Sequence, residues 1–170
     1  MPVTRLNHAV LYVRDVDVTR EFYENVLGFR VKVSMPGQAA FLQAGGSTND
    51  HDLGIFQIGA NAGPSMAGRA TVGLYHLAWE VDTLAELQRI EGVLAERGAL
   101  VGATDHTTTK ALYARDPDGL EFEVCWLMPA DLITDEVQAE AAKLVNRHLD
   151  LAHEIDRYGA QTRGGVGVSH

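Results

Sequence analysis

Residues Asp105–Val124 read DHTTTKALYARDPDGLEFEV, and the parsing of this stretch decides the fold. Asp116-Pro117-Asp118-Gly119 is a turn signal with strand-like residues on either side, so a hairpin is predicted. On the return strand, period-two alternation puts Phe122, Val124 and Trp126 on one face and Glu121, Glu123 and Cys125 on the other. The first set has the character of a core. A carboxylate on the opposite face must meet solvent, a cation or a metal, because burying it unpaired is costly. Tyr113 lies on the outgoing strand and His106 a few residues upstream, so a histidine, a tyrosine and a glutamate share one local unit.

Working outward, the hairpin closes the second copy of a repeated pattern. LNHAVLYV (6–13) reads as a strand with His8, Val10 and Tyr12 on one face. Asp15 or Asp17 can cap a helix that runs to Leu27 and is ended by Gly28. Strands follow at 29–34 and 39–43, and a fourth starts at His51 in HDLGIFQIG. After a Gly-, Ala- and Pro-rich connector (59–71), LYHLAWEV (74–81) repeats the first strand. Asp82 is the expected cap of a second helix, with Leu87, Ile90 and Leu94 on one face and Gly98 at its end. Strands near Leu100, near Leu112 and at 121–127 complete it. Two βαβββ modules are therefore expected, at about 1–60 and 72–128, each with histidine third in its first-strand segment. Pseudo-twofold pairing would bring His8 and His76 together, and Glu123 would complete a set of two histidines and one carboxylate. Such a set leaves coordination positions open and suits Fe(II).

The run Thr104-x-His106, five residues, Leu112-Tyr113-x-x-Asp116-Pro117-x-Gly119, then Glu123 resembles the signature of the extradiol ring-cleaving dioxygenases. These belong to the vicinal-oxygen-chelate superfamily, shared with glyoxalases, epimerases and bleomycin-resistance proteins. The resemblance implies an α+β fold in which two paired βαβββ modules form a cup-shaped mixed sheet around a metal. It assigns the metal to His8, His76 and Glu123, as Fe(II) with Mn(II) as the alternative. It also implies catalytic roles for His51 (acid–base), His106 (hydrogen bonding to substrate oxygens) and Tyr113 (contact with the deprotonated oxygen). The implied reaction joins a small aromatic diol and O2 to give a ring-opened semialdehyde, by cleavage beside the diol. Larger relatives carry a further pair of modules, for which this chain has no room.

Two other readings share the fold. A glyoxalase- or epimerase-like isomerase would use four ligands, and Gln57 is the candidate for the fourth. A drug-sequestering protein of the bleomycin-resistance kind would lack the triad.

Composition sets the outer limits. A chain of 170 residues with 46% apolar and 22% charged content is expected to form one domain (1–128) with an extension. A net charge of −9 argues against a nucleic-acid partner, and no apolar run approaches the roughly 20 residues a membrane span needs. MPVTRLNHAV has no signal-peptide layout, and Cys125 is the single cysteine, so a reducing cytoplasm is the expected location. Residues 129–170 are expected to form a helical extension and a flexible tail. Val137, Leu144, Leu151 and Tyr158 fall at sevens along a helix over 134–158, which makes a homodimer or larger homo-oligomer the expected assembly. Asn61, Ser65 and Arg69 in the connector are candidate substrate contacts.

Overall fold

In a computed structural model, which describes residues 2–68 and 70–165, the chain divides into two compact units. The first runs to Met66 and includes Asp116–Leu120. The second comprises Ala67–Arg115 and the chain from Glu121 onward.

The first unit holds β1 (Ala9–Val13), α1 (Val16–Leu27), β2 (Arg30–Met35), β3 (Ala39–Gln43) and β4 (Leu53–Gln57). Its sheet has the order β1-β4-β3-β2, with β1 and β4 parallel and the other pairs antiparallel. Asp15 caps α1, its carboxylate accepting from the amides of Asp17 and Val18. Gly28, at φ 69°, closes the helix in the left-handed conformation that glycine adopts at no steric cost. Leu11, Val13, Leu42, Leu53 and Ile55 are buried with Phe22, Tyr23 and Val26 of the helix. The opposite sheet face carries Val10 and Tyr12, both exposed.

The second unit repeats this plan with β5 (Leu77–Glu80), α2 (Leu84–Glu96), β6 (Leu100–Asp105), β7 (Thr109–Arg115) and β8 (Glu121–Leu127). The sheet order is β5-β8-β7-β6-β9, where β9 (Arg147–His148) comes from the extension. Phe122, Val124 and Trp126 are fully buried, as the alternation required. The α+β architecture of two βαβββ modules is therefore present as two mixed sheets, of four and five strands. None of the helices among the described residues is long and apolar enough to cross a membrane.

Several boundaries differ from expectation. The fourth strand starts at Leu53, leaving His51 in the preceding loop, and His8 and His76 each stand just before their strands. Thr83, not Asp82, caps α2 by accepting from the Glu86 amide.

The extension is not one helix. After a short 3-10 turn (Ala130–Leu132), α3 spans Asp135–Ala141 and α4 spans Leu151–Tyr158, with β9 between them. The heptad reading fails at Leu144, which is 88% exposed and has φ 52°. The chain there pairs with the open edge of β6, whose unpaired backbone groups need partners. Asp150 then caps a new helix by accepting from the His153 amide. The start of the expected flexible tail is also ordered. Thr162 accepts from the Trp126 indole at 3.1 Å, and the Gly164 amide donates to the Asp82 carbonyl at 2.9 Å. Residues 166–170 and Arg69 lie outside the described residues.

Candidate metal and catalytic site

In the first unit, the parallel register of β1 and β4 sets Ala9 opposite Leu53, so the residues just before both strands lie side by side. His8 and His51 are brought together there, with ring centroids 4.5 Å apart. Phe41 of β3 meets His51 edge-on at 5.0 Å and Phe56 at 5.7 Å. Each imidazole has its Nδ1 engaged. The Asn7 side-chain oxygen lies 2.7 Å from Nδ1 of His8, and an Asp50 carboxylate oxygen lies 3.1 Å from Nδ1 of His51. An acceptor at Nδ1 requires that nitrogen to carry the proton, leaving the lone pair at Nε2 for a metal or a proton. Asp50 is 89% exposed, so it orients His51 and adds little energy. The same face opens into a cleft of about 290 Å³ lined by Val10, Tyr12, Arg14, Ile58, Ser65 and Asp118. Arg14 is fixed there by Asp118 at 2.7 Å and by the Ala62 carbonyl at 3.0 Å.

In the second unit, Tyr113 and Glu123 are directly opposed on β7 and β8. His76 Nε2 is 3.0 Å from Glu123 Oε2. His76 Nδ1 is buried without a hydrogen-bond partner among the described residues, so Glu123 is the group that holds this ring's polar edge. Two donors about 2.1 Å from one cation and about 90° apart would be separated by about 3.0 Å, so this pair fits a shared metal. No group of three or more His, Cys, Asp or Glu side chains that could hold a metal ion is gathered among the described residues.

The Tyr113 hydroxyl lies 3.0 Å from Nε2 of His106. Burial, then the charge of Glu123, pushes the Tyr113 phenol up to about 12, so it remains an O–H donor at neutral pH. Cys125 is buried, and desolvation followed by Glu123 and Glu80 raises its thiol to about 12. It is therefore an unreactive apolar side chain.

The turn between β7 and β8 belongs with the first unit. Asp116 Oδ1 accepts from the amides of Asp118 and Leu120, both at 2.9 Å, and Gly119 has φ 83°. Burial raises the Asp116 carboxyl to about 6 despite these bonds.

Gln57, the alternative fourth ligand, lies on the same face of β4 as buried Leu53 and Ile55. Its side-chain oxygen accepts from the Val16 amide at 3.0 Å. It therefore serves the start of α1 on the core side, away from the histidines' face.

Sequence reasoning missed Asn7, Asp50, Lys110 and Asn146. The first two are chain neighbours of the histidines they orient, which is the signal that could have found them. Lys110 could have been noticed as the polar member of the alternating set Lys110, Leu112, Ala114. Asn146 had no local signal.

Comparisons with known proteins agree with this architecture. Over 121 residues the chain is 32% identical to the Catechol-2,3-dioxygenase of Bacillus subtilis (strain 168), covering 71% of this chain. It spans only 41% of that relative's length. A glyoxylase/bleomycin resistance protein/dioxygenase domain from Frankia sp. EAN1pec superimposes with a TM-score of 0.58 at 22% identity, covering 73% of this chain and 92% of the other. The fosfomycin resistance protein FosX from Mesorhizobium loti gives 0.54 at 22% identity, covering 73% and 92%. These two likenesses speak to the fold alone. Residues 5–124 match the family itself, and the chain belongs to the Glyoxalase/Bleomycin resistance protein/Dioxygenase superfamily.

Proposed function

We propose that the chain is an Fe(II)-dependent extradiol dioxygenase that opens the ring of a small catechol-type diol with O2. His8, His76 and Glu123 are its metal ligands, and His51, His106 and Tyr113 handle protons and substrate oxygens. The observation that carries this reading is the 3.0 Å approach of His76 Nε2 to Glu123 Oε2, with Tyr113 directly across the strands from Glu123. The similarity to a catechol dioxygenase supports it. Bound by this set, Fe(II) supplies open coordination positions at which a vicinal diol and O2 can meet, and Mn(II) suits the same donors.

The chain's own residues account for the rest of the chemistry. His51, protonated at Nδ1 by its contact with Asp50, can take a diol proton at Nε2 and return it later. Tyr113, kept protonated by burial and by Glu123 and 3.0 Å from Nε2 of His106, can accept from a diol hydroxyl through its oxygen. Phe41 and Phe56 provide aromatic surface beside His51 for a flat apolar ring. The isomerase reading loses its fourth ligand, because Gln57 is committed to the start of α1.

The test is anaerobic loading with Fe(II), followed by air and a panel of catechols, measuring bound iron, O2 uptake and the yellow semialdehyde. Product that disappears in His8→Ala and in Glu123→Ala is the expected result. Stoichiometric iron without O2 uptake would refute the reaction, and a chain that binds no metal would point to a sequestering protein.

A further inference from the structure

The family match ends at residue 124, yet the segment beyond it touches one of the site histidines. Nδ1 of His106 is 2.8 Å from the side-chain oxygen of Asn146, a residue 40 positions downstream. Asn146 is delivered by β9, the short strand that follows it immediately. There Thr104 pairs with His148 and Asp105 with Arg147.

The backbone carrying His106 is held by the same extension along a second route. Thr107 has φ 72°, a sterically costly conformation for a β-branched residue, so the surrounding contacts must enforce it. Its amide donates to Asp105 Oδ1 at 2.7 Å, and that oxygen also accepts from the ammonium of Lys110 at 2.6 Å. Lys110 in turn is 2.8 Å from Glu154 Oε2 on α4. From α4, a chain of charged contacts therefore runs to the turn that presents His106.

We infer that Asn146 is a positioning residue for the active site, fixing His106 in the tautomer with its proton on Nδ1 so that Nε2 accepts from the Tyr113 hydroxyl. An amide oxygen at Nδ1 can be satisfied only by an N–H, and the proton on Nδ1 leaves a lone pair on Nε2, where Tyr113 stands at 3.0 Å. Without Asn146 the neutral ring can take either tautomer. With the proton on Nε2, the ring would donate to the Tyr113 oxygen, and the phenolic proton would have to point elsewhere. The extension thus completes a relay whose other two members lie on the β6–β7 turn and β7. The consequence for turnover rests on the dioxygenase reading; the tautomer assignment does not.

The experiment is ¹⁵N spectroscopy of histidine side chains in the metal-free full-length chain, with His106 assigned by comparison with His106→Gln. Wild type is expected to show His106 protonated at Nδ1. Asn146→Ala is expected to lose that preference while the circular dichroism spectrum is unchanged, and Asn146→Asp, which keeps an acceptor, to retain it. In the iron-loaded chain Asn146→Ala should lower kcat by about 10- to 100-fold, the usual effect of removing a group that orients an active-site imidazole, and Asn146→Asp should recover most of it. An unchanged His106 tautomer in Asn146→Ala would overturn the inference, as would an altered tautomer with unchanged turnover. If wild type cleaves no catechol, the dioxygenase reading falls, and the spectra still decide the tautomer.

Discussion

Lys110 sits on the core face of β7, 1% exposed, with Asp105 and Glu154 as counter-charges at 2.6 and 2.8 Å. An ammonium so placed is stabilised chiefly by these carboxylates, with the Tyr158 ring 5.9 Å from Nζ as a further contact, since water does not reach it. Glu154→Ala removes one of the two and leaves Asp105. The expected cost is therefore at the lower end of the range for breaking a buried ion pair, about 3 kcal/mol. Lys110→Met removes the cation and leaves two carboxylates aimed at one dry space, so it should cost more, about 5 kcal/mol. Replacing both members, as Lys110→Met with Glu154→Leu, exchanges that pair for apolar volume and leaves Asp105 with the Thr107 amide as its partner, so it should cost about 2 kcal/mol, well below Lys110→Met alone. Urea unfolding followed by circular dichroism measures all three. With a slope of about 2 kcal/mol per molar, the Glu154→Ala midpoint should drop by about 1.5 M. The double variant should lose far less than the sum of its two single changes, a non-additivity that two independent sites would not show. A midpoint shift below about 0.3 M for Glu154→Ala would refute the argument, because it would mean that the ammonium is solvated or neutral.

Two further expectations follow from other parts of the chain. Asp116 has its carboxyl raised by burial from 3.8 to about 6, so its ionised form is disfavoured by folding. The native state then binds more protons than the unfolded chain between those values, and stability falls as pH rises through that window, by up to about 3 kcal/mol from this group. Asp116→Asn keeps the Oδ1 acceptor and should flatten the profile between pH 4 and about 6 in denaturation midpoints; an unchanged slope would reject the assignment. Leu144, exposed and at φ 52°, makes no compensating contact with the core. Leu144→Gly should therefore raise the thermal midpoint, reflecting a gain of about 1 kcal/mol from relieving the left-handed strain, and a lower midpoint would contradict that account.

Most of the architecture was legible because it is encoded locally. Helix period, strand alternation and turn chemistry each act over a few residues, so β1 to β8, α1, α2 and the Asp116–Gly119 turn could be read along the chain. The duplication gave the equivalence of His8 and His76, and the alternation of β8 put Glu123 opposite a core of Phe122, Val124 and Trp126. The extension was misread because sevenfold spacing of apolar residues does not distinguish one long helix from two short ones. The choice was made by the unpaired edge of β6, which lies elsewhere in the sequence.

The sequence by itself therefore determined the repeated modules and the residue types of the site. Only the tertiary structure decided which distant polar groups complete them. Asn146 reaches His106 across 40 positions, Glu154 meets Lys110 on another element, and Gln57 turns to the start of α1. The physical reason is that a buried or oriented polar group must find a partner wherever the fold supplies one. Periodicity fixes the face on which a side chain lies and carries no information about what folds back against it.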